Sequence, residues 1–326
     1  MKIISTISII ILSGTFAFSQ TIAVSGSVSN QKGEPVPYAF VRDAQHNFAT
    51  YADSTGTFML KADPASELEV SANGYKNAQV KIDNKTKVDV TLPAGEAAAA
   101  VSGLNGGNAE VNSTFLSRGQ LLSVEGSGSF NTNAAVKEGF TQEPTRGSRY
   151  LFANWVPGFG ISKKDSLVVE KENFYNYDKL NGNIIYTNDG KSMAQVSPAK
   201  IKSFSLYDKK GRAHVYENAP VINGRPFVEV LLSTPKYKIY KKIDTKLSRA
   251  DFHTDGVIEM GHRYDEYVDD ERYYFVGADG KSQSISLKKS TLKKLLAGDA
   301  DTFIASQGSR DVDEEYVKDL GNSLAK

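Results

Sequence analysis

Four histidines, 38 carboxylates and no cysteine set the chemistry open to this chain. His214-Val215-Tyr216-Glu217 sets two side chains of zinc-ligating type three residues apart. The pair lies in a stretch that reads as a strand, where side chains three apart leave opposite faces, so the two could not readily share one ion. His253, Glu259 and His262, with Asp251 and Asp255, form a looser group able to ligate a transition metal, in a polar segment where such side chains are usually solvated. Tyr264-Asp265-Glu266-Tyr267-Val268-Asp269-Asp270-Glu271 offers oxygens to Ca²⁺ but lacks the Gly and alternating spacing of a calcium loop, and reads as a solvated acidic loop. Tyr237, Tyr240, Tyr264, Tyr267, Tyr273 and Tyr274 supply apolar area with polar tips; the last four are the candidate binding surface, against alternating core and surface aromatics of a small sheet. Carboxylate pairs for glycoside hydrolysis cannot be chosen by spacing alone. The chain has no Gly-x-Ser-x-Gly elbow, phosphate loop or dinucleotide fingerprint. The residues nominate no catalytic, cofactor or metal site.

What must position these groups is a chain of 326 residues, long enough for two domains. Lys+Arg number 39 against 38 Asp+Glu, a balance without the basic footprint of a nucleic-acid binder. Zero Cys excludes disulfides, thiolate metal sites, a cysteine nucleophile and a diacylglyceryl-cysteine anchor. Lys2, the apolar run Ile3 to Phe18 and the small residues Ala17 and Ser19 make residues 1–19 a secretory signal peptide, cut before Gln20. The run is too short and too interrupted for a transmembrane helix, and no later stretch is apolar enough to span a bilayer.

Residues 20–93 alternate in short strands separated by turn residues, the pattern of a seven-stranded antiparallel β-sandwich. Asp53-Ser54-Thr55-Gly56 is a hairpin loop in which Asp53 can accept backbone N–H bonds. The order Gly26-x-Val28, Gly33-x-x-Val36-Pro37-x-Ala39-x-Val41, Asp53-x-x-Gly56-x-Phe58-x-Leu60, Leu68-x-Val70-Ser71-x-x-Gly74-Tyr75 and Val88-x-Val90-x-Leu92 resembles the carboxypeptidase-regulatory-like domain. The resemblance implies a transthyretin-like, or prealbumin-like, sandwich that is an accessory module and not a catalytic unit, often placed just after the signal peptide in secreted proteins of Bacteroidota type. It also raises the question of a zinc carboxypeptidase. The only later histidines follow His214 too closely, and no α/β catalytic domain fits, so the chain is not read as a peptidase.

Residues 94–146, rich in Ala, Gly, Ser and Asn, read as a flexible tether; the alternative is a part of the second domain that orders on docking. Residues 147–326 carry hairpin signals at Asn181-Gly182, Asn223-Gly224, Asp189-Gly190, Lys210-Gly211 and Asp279-Gly280, between stretches rich in β-branched and aromatic residues. Leu292, Leu295 and Leu296 then share one face of a helix, and Asp299–Ser306 and Asp311–Leu324 read as two more. The expected fold is mainly β: the N-terminal sandwich and a C-terminal antiparallel β-meander closed by short helices. This region resembles the C-terminal part that accompanies regulatory-like domains in some secreted Bacteroidota-type proteins, a resemblance that implies no activity.

These readings converge on an exported, non-catalytic interaction protein of the periplasm or outer membrane, with secretion as the alternative location, possessing no cofactor and binding an envelope protein. A carbohydrate-binding accessory protein, with a surface glycan as partner, is the alternative suggested by the tyrosines. A hydrolase using His253 or His262 ranks below both.

Overall fold

The computed structural model describes residues 21–95 and 143–324, apart from positions 171, 191, 223, 255–257 and 297. The expected signal peptide and most of the expected tether lie outside the described residues.

The first unit is the anticipated sandwich. β1 (Ile22–Asn30), β4 (Thr57–Ala62) and β7 (Val90–Leu92) form one sheet in the order β4-β1-β7. β2 (Phe40–Asp43), β3 (Ala49–Tyr51), β5 (Glu67–Ser71) and β6 (Ala78–Lys81) form the other, in the order β3-β2-β5-β6. Alternation does the work: in β4, Phe58, Leu60 and Ala62 point inward while Met59 is 70% exposed. The expectation of a wholly antiparallel sandwich needs one correction, because β7 runs parallel to β1. Gly26 allows that closure: a Cβ there would stand 1.8 Å from the carbonyl oxygen of Val88.

The second unit is built on a nine-stranded sheet. Its path runs β10 (Leu167–Val168), β9 (Gly158–Ser162), β14 (Ile201–Tyr207), β15 (Ala213–Glu217), β16 (Val228–Ser233), β17 (Lys238–Ser248), β20 (Tyr264–Val276) and β21 (Ser282–Ile285), and β8 (Glu143–Arg146) lies parallel to the far end of β20. The last four residues of the expected tether are thus strand β8. β11 (Phe174–Asp178), β12 (Asn183–Thr187) and β13 (Ala194–Gln195) form a small second sheet, and β18 (His253–Thr254) pairs with β19 (Glu259–Met260). β17 and β20 stay in register over eleven residue pairs, from Lys238 opposite Val276 to Ser248 opposite Glu266. The segment expected to be an acidic loop is therefore the first eight residues of a 13-residue strand. Strong pairing with β17 and ion pairs to lysines override the low strand propensity of its acids.

Period-two alternation gives the large sheet two faces. One is covered by the small sheet and by α1 (Lys289–Leu296), α2 (Asp301–Ser306) and α3 (Glu314–Leu324). Leu292 and Leu296 of α1 and Tyr316, Val317 and Leu320 of α3 share a core with Leu232 and Ile239 of the sheet. Asp299, expected to open the second helix, instead accepts hydrogen bonds from Lys236 and Tyr237. On the other face Val230 and Tyr240 pack under Ala219 and Ile222 of the connection between β15 and β16.

The sandwich packs against that second face. Phe40 and Tyr51 of the first unit meet Phe159 and Tyr207 of the second in a buried aromatic cluster. Ring centroids lie 5.9 Å apart for Phe40–Phe159 and 5.4 Å for Tyr51–Tyr207, within the range of favourable aromatic pairs. The Tyr51 hydroxyl donates to the Gly158 carbonyl at 3.4 Å and the Tyr207 hydroxyl to the Ala49 carbonyl at 3.3 Å. The Asn47 side chain donates to the Asp165 carbonyl.

Candidate functional site

A line of side chains crosses the helix-covered face at right angles to the strands. Cross-strand register places Phe204, Tyr216, Glu229, Lys241, Tyr273 and Ile285 opposite one another in that order. The centre of the line is polar and the ends are apolar. It runs between the small sheet, which covers Tyr216 through Tyr177 (ring centroids 4.6 Å apart), and helix α3, which lies over β16.

Glu229 is the hub. Its side chain is 4% exposed, yet Oε1 takes His214 Nδ1 at 3.0 Å and Lys318 Nζ at 3.2 Å. Burial pushes the Glu229 carboxyl up, but the hydrogen bond from His214 and the charges of His214, Lys318 and Lys241 outweigh it and hold the group below the usual range, as an anion. Lys241, 9% exposed, pairs with Glu314 at 2.6 Å and Glu271 at 2.8 Å; these bonds overcome the burial that disfavours its charge, so its ammonium form is strengthened. The Tyr273 hydroxyl donates to Glu314 at 2.8 Å, and burial together with that carboxylate drives its own ionisation far upward. Every buried charge in this line has an opposite partner, as burial requires.

The imidazole of His214 lies between two carboxylates, with Nε2 3.9 Å from Asp208 and the Phe152 ring set edge-on at 5.2 Å. Asp208 caps the turn between β14 and β15, accepting the backbone N–H of Lys210 and Arg212 and the Arg212 guanidinium at 2.7 Å. Burial pushes its carboxyl up, and the Arg212 and Lys210 contacts more than reverse that. Beside the line, Arg212, Tyr273, Leu287, Val312, Glu314 and Glu315 border an open depression of about 510 Å³. A carboxyl acting as general acid needs its proton held more tightly than usual, whereas burial of Glu229 and Asp208 is overcompensated toward the anion. The arrangement is suited to clamping α3 onto the sheet.

The structure separates the sequence candidates. His214 faces this line, whereas Glu217 leaves the other face and accepts from Lys238 at 2.6 Å and the Tyr240 hydroxyl at 3.0 Å. His253 Nδ1 bonds the Asp251 carbonyl, and the His262 backbone N–H donates to the Asp251 carboxylate at 2.7 Å. Among the described residues these do not gather into a group of three possible metal ligands, and Asp255 lies outside the described residues. Of the four tyrosines, Tyr264 and Tyr274 share one face of β20 and Tyr267 and Tyr273 the other. The Arg146 guanidinium covers the Tyr264 ring at 3.5 Å, Tyr274 joins the core under Ala219 and Ile222, and Tyr273 belongs to the polar line. Glu229, Lys241, Glu314 and Lys318 were not singled out from the sequence. A signal existed: a lone Glu in the apolar run of Val228–Ser233, and Lys241-Lys242 between Ile239 and Ile243, are charges where a buried strand has no use for them unless paired.

In the first unit, Asp53 Oδ1 accepts the N–H groups of Thr55 at 2.8 Å and Thr57 at 3.0 Å, as its loop motif requires. Residues 24–101 match the family described as CarboxypepD_reg-like domain. The N-terminal unit is a carboxypeptidase-regulatory-like domain. No curated protein matches the chain. The regulatory-like domain is a non-catalytic β-sandwich module, and its Asp53 loop presses on the turn that carries Asp208. Gly211 there has φ +72°, and a Cβ on it would lie 2.8 Å from the Asp53 Cβ. The regulatory-like domain and the polar line thus meet at one hairpin, the domain at its tip and His214 on its second strand.

Proposed function

We propose that this chain is an exported, non-catalytic interaction protein of the cell envelope, in the periplasm or at the outer membrane, with an envelope protein as its partner. Residues 20–93 serve as the accessory module, the segment from 94 up to β8 as a tether, and β8 with residues 147–326 as the partner-binding platform. The aromatic cluster of Phe40, Tyr51, Phe159 and Tyr207 carries this reading, because it fixes the regulatory-like domain onto the large sheet as part of a platform. The polar line supports it: its charges are spent on one another and on holding α3. No helix among the described residues is long and apolar enough to cross a membrane.

The test uses the full chain with a C-terminal tag. Fractionation is expected to find it in the envelope fraction, processed near Gln20, and in-cell cross-linking is expected to join it to a discrete envelope protein. Purified protein is expected to turn over no peptide, ester or glycoside reporter. Turnover abolished by His214→Ala or His262→Ala refutes the reading in favour of a hydrolase, and a cytoplasmic location refutes export.

A further inference from the structure

The outer edge of β20 is occupied at both ends and open in the middle. β8 pairs with Tyr264 and Glu266, and β21 with Tyr273 through Val276. After Arg146 the chain leaves the edge for the small sheet, where Tyr150 bridges to Asp178. Among the described residues no strand pairs with Tyr267–Arg272 on that side, and Val268, Asp269, Asp270, Glu271 and Arg272 are all exposed. Gly147 packs on the Tyr267 carbonyl, so the five residues Val268–Arg272, at about 3.4 Å each, leave a gap of roughly 17 Å with backbone N–H and C=O groups facing outward.

We propose that this gap accepts an extended, lysine- or arginine-bearing segment of a partner protein as an added strand. The inference rests on the interaction-protein reading and names the surface and the partner's chemistry. Edge addition draws affinity from main-chain hydrogen bonds and selectivity from alternate side chains. Val268–Arg272 holds three acids and one base. Lys179 and Lys241, which pair with Asp269 and Glu271, are only 8% and 9% exposed, so the side that meets solvent is dominated by carboxylates. On one face the incoming strand meets Asp269 and Glu271, which call for basic residues; on the other it meets Val268, 48% exposed, which calls for an apolar one, beside the exposed Asp270–Arg272 ion pair. A second copy is a poor occupant: two-fold antiparallel pairing centred on Asp270 sets Asp270 against itself and Asp269 against Glu271, and like charges directly opposite repel.

The test adds eight-residue peptides to the purified full chain and reads amide hydrogen exchange at residues 268–272 together with binding by fluorescence anisotropy. An alternating Lys–Val peptide is expected to slow exchange there at least tenfold, whereas a Glu–Val peptide and a Lys–Val peptide N-methylated at alternate amides are not. Asp270→Lys, which alters an exposed residue paired only with Arg272, is expected to weaken the Lys–Val peptide at least tenfold. Equal binding of the N-methylated peptide overturns the proposal, since charge alone then suffices. Amides already protected in the free monomer overturn it by showing the edge covered within the chain, and concentration-dependent protection does so in favour of a second copy. If Asp270→Lys keeps every envelope cross-link, the interaction reading stands and this edge is refuted; if the wild type gives no cross-link while the peptide results hold, the reverse applies.

Discussion

Replacing Phe159 by Ala tests whether the regulatory-like domain and the large sheet act as one body. Phe159 is 5% exposed and its ring meets those of Phe40 at 5.9 Å, Tyr51 at 6.4 Å and Tyr207 at 5.8 Å. Truncating a buried aromatic residue to Ala costs about 3–5 kcal/mol. Each aromatic pair contributes about 0.5–1.5 kcal/mol beyond its area, so the two pairs that reach across to Phe40 and Tyr51 account for about 1–3 kcal/mol of that loss. A double-mutant cycle with Tyr51→Ala isolates one of them and should return a coupling of about 0.5–1.5 kcal/mol, where independent sites add to within about 0.3–0.5 kcal/mol. Urea unfolding followed by fluorescence of the sole tryptophan, Trp155, reports on the second unit. Amide exchange in Phe40–Asp43 and Ala49–Tyr51 reports on the first. Both should respond to Phe159→Ala, and the milder Phe159→Leu should respond less. Additive energies, together with unchanged exchange in the sandwich strands, would refute a joined body.

Gly211→Ala forces a side chain onto a left-handed residue facing Asp53 at 2.8 Å, and should cost more than about 1 kcal/mol in a urea titration, with faster exchange in both the Asp53 loop and the β14–β15 turn. Glu229→Gln leaves His214 and Lys318 without their buried anion, and breaking such a pair costs about 3–5 kcal/mol, measurable as a lowered urea midpoint. The pH dependence has a definite sign. Glu229 titrates below its ordinary 4.5 in the folded chain, so its contribution is fully present above that pH and disappears as pH falls through the folded value; the stability gap between wild type and Glu229→Gln should be flat at neutral pH and close on acidification. Lys318→Met should loosen α3 selectively, seen as faster exchange in Glu314–Leu324 with the sandwich unaffected. Tyr264→Ala should release about 0.5–1 kcal/mol of cation–π attraction from Arg146 and speed exchange in β8.

Much of the fold was legible because turn chemistry is local. Asn181-Gly182, Lys210-Gly211 and Asp279-Gly280 each sit between consecutive paired strands, and the Leu292/Leu296 spacing marked the buried side of α1. Asp53-x-x-Gly56 marked its loop for the same reason. What escaped was non-local. The acidic stretch of β20 is a strand only because β17 runs beside it for eleven pairs, and nothing within the stretch itself announces that. Glu229, Lys241 and Lys318 come from two strands and a helix, so their assembly depends on register and helix docking. The spacing of His214 and Glu217 did reveal that they part company, since opposite faces follow from the strand period alone. The tyrosines of β20 show the converse: counting them suggests a surface, while the same period sends them to two sides.

The aromatic cluster between the two units also sets a timetable. Synthesis delivers Tyr51 first, and the backbone of Gly158 that receives its hydroxyl lies 107 residues downstream. The sandwich is complete only at Leu92, 66 residues before Gly158; at about 5–20 residues per second a finished sandwich displays two uncovered rings for roughly 3–13 s. A nascent chain stalled in this window, or a fragment ending before Phe159, is a sticky species, and a chaperone that shields Phe40 and Tyr51 until the later strands arrive would raise the yield of intact protein.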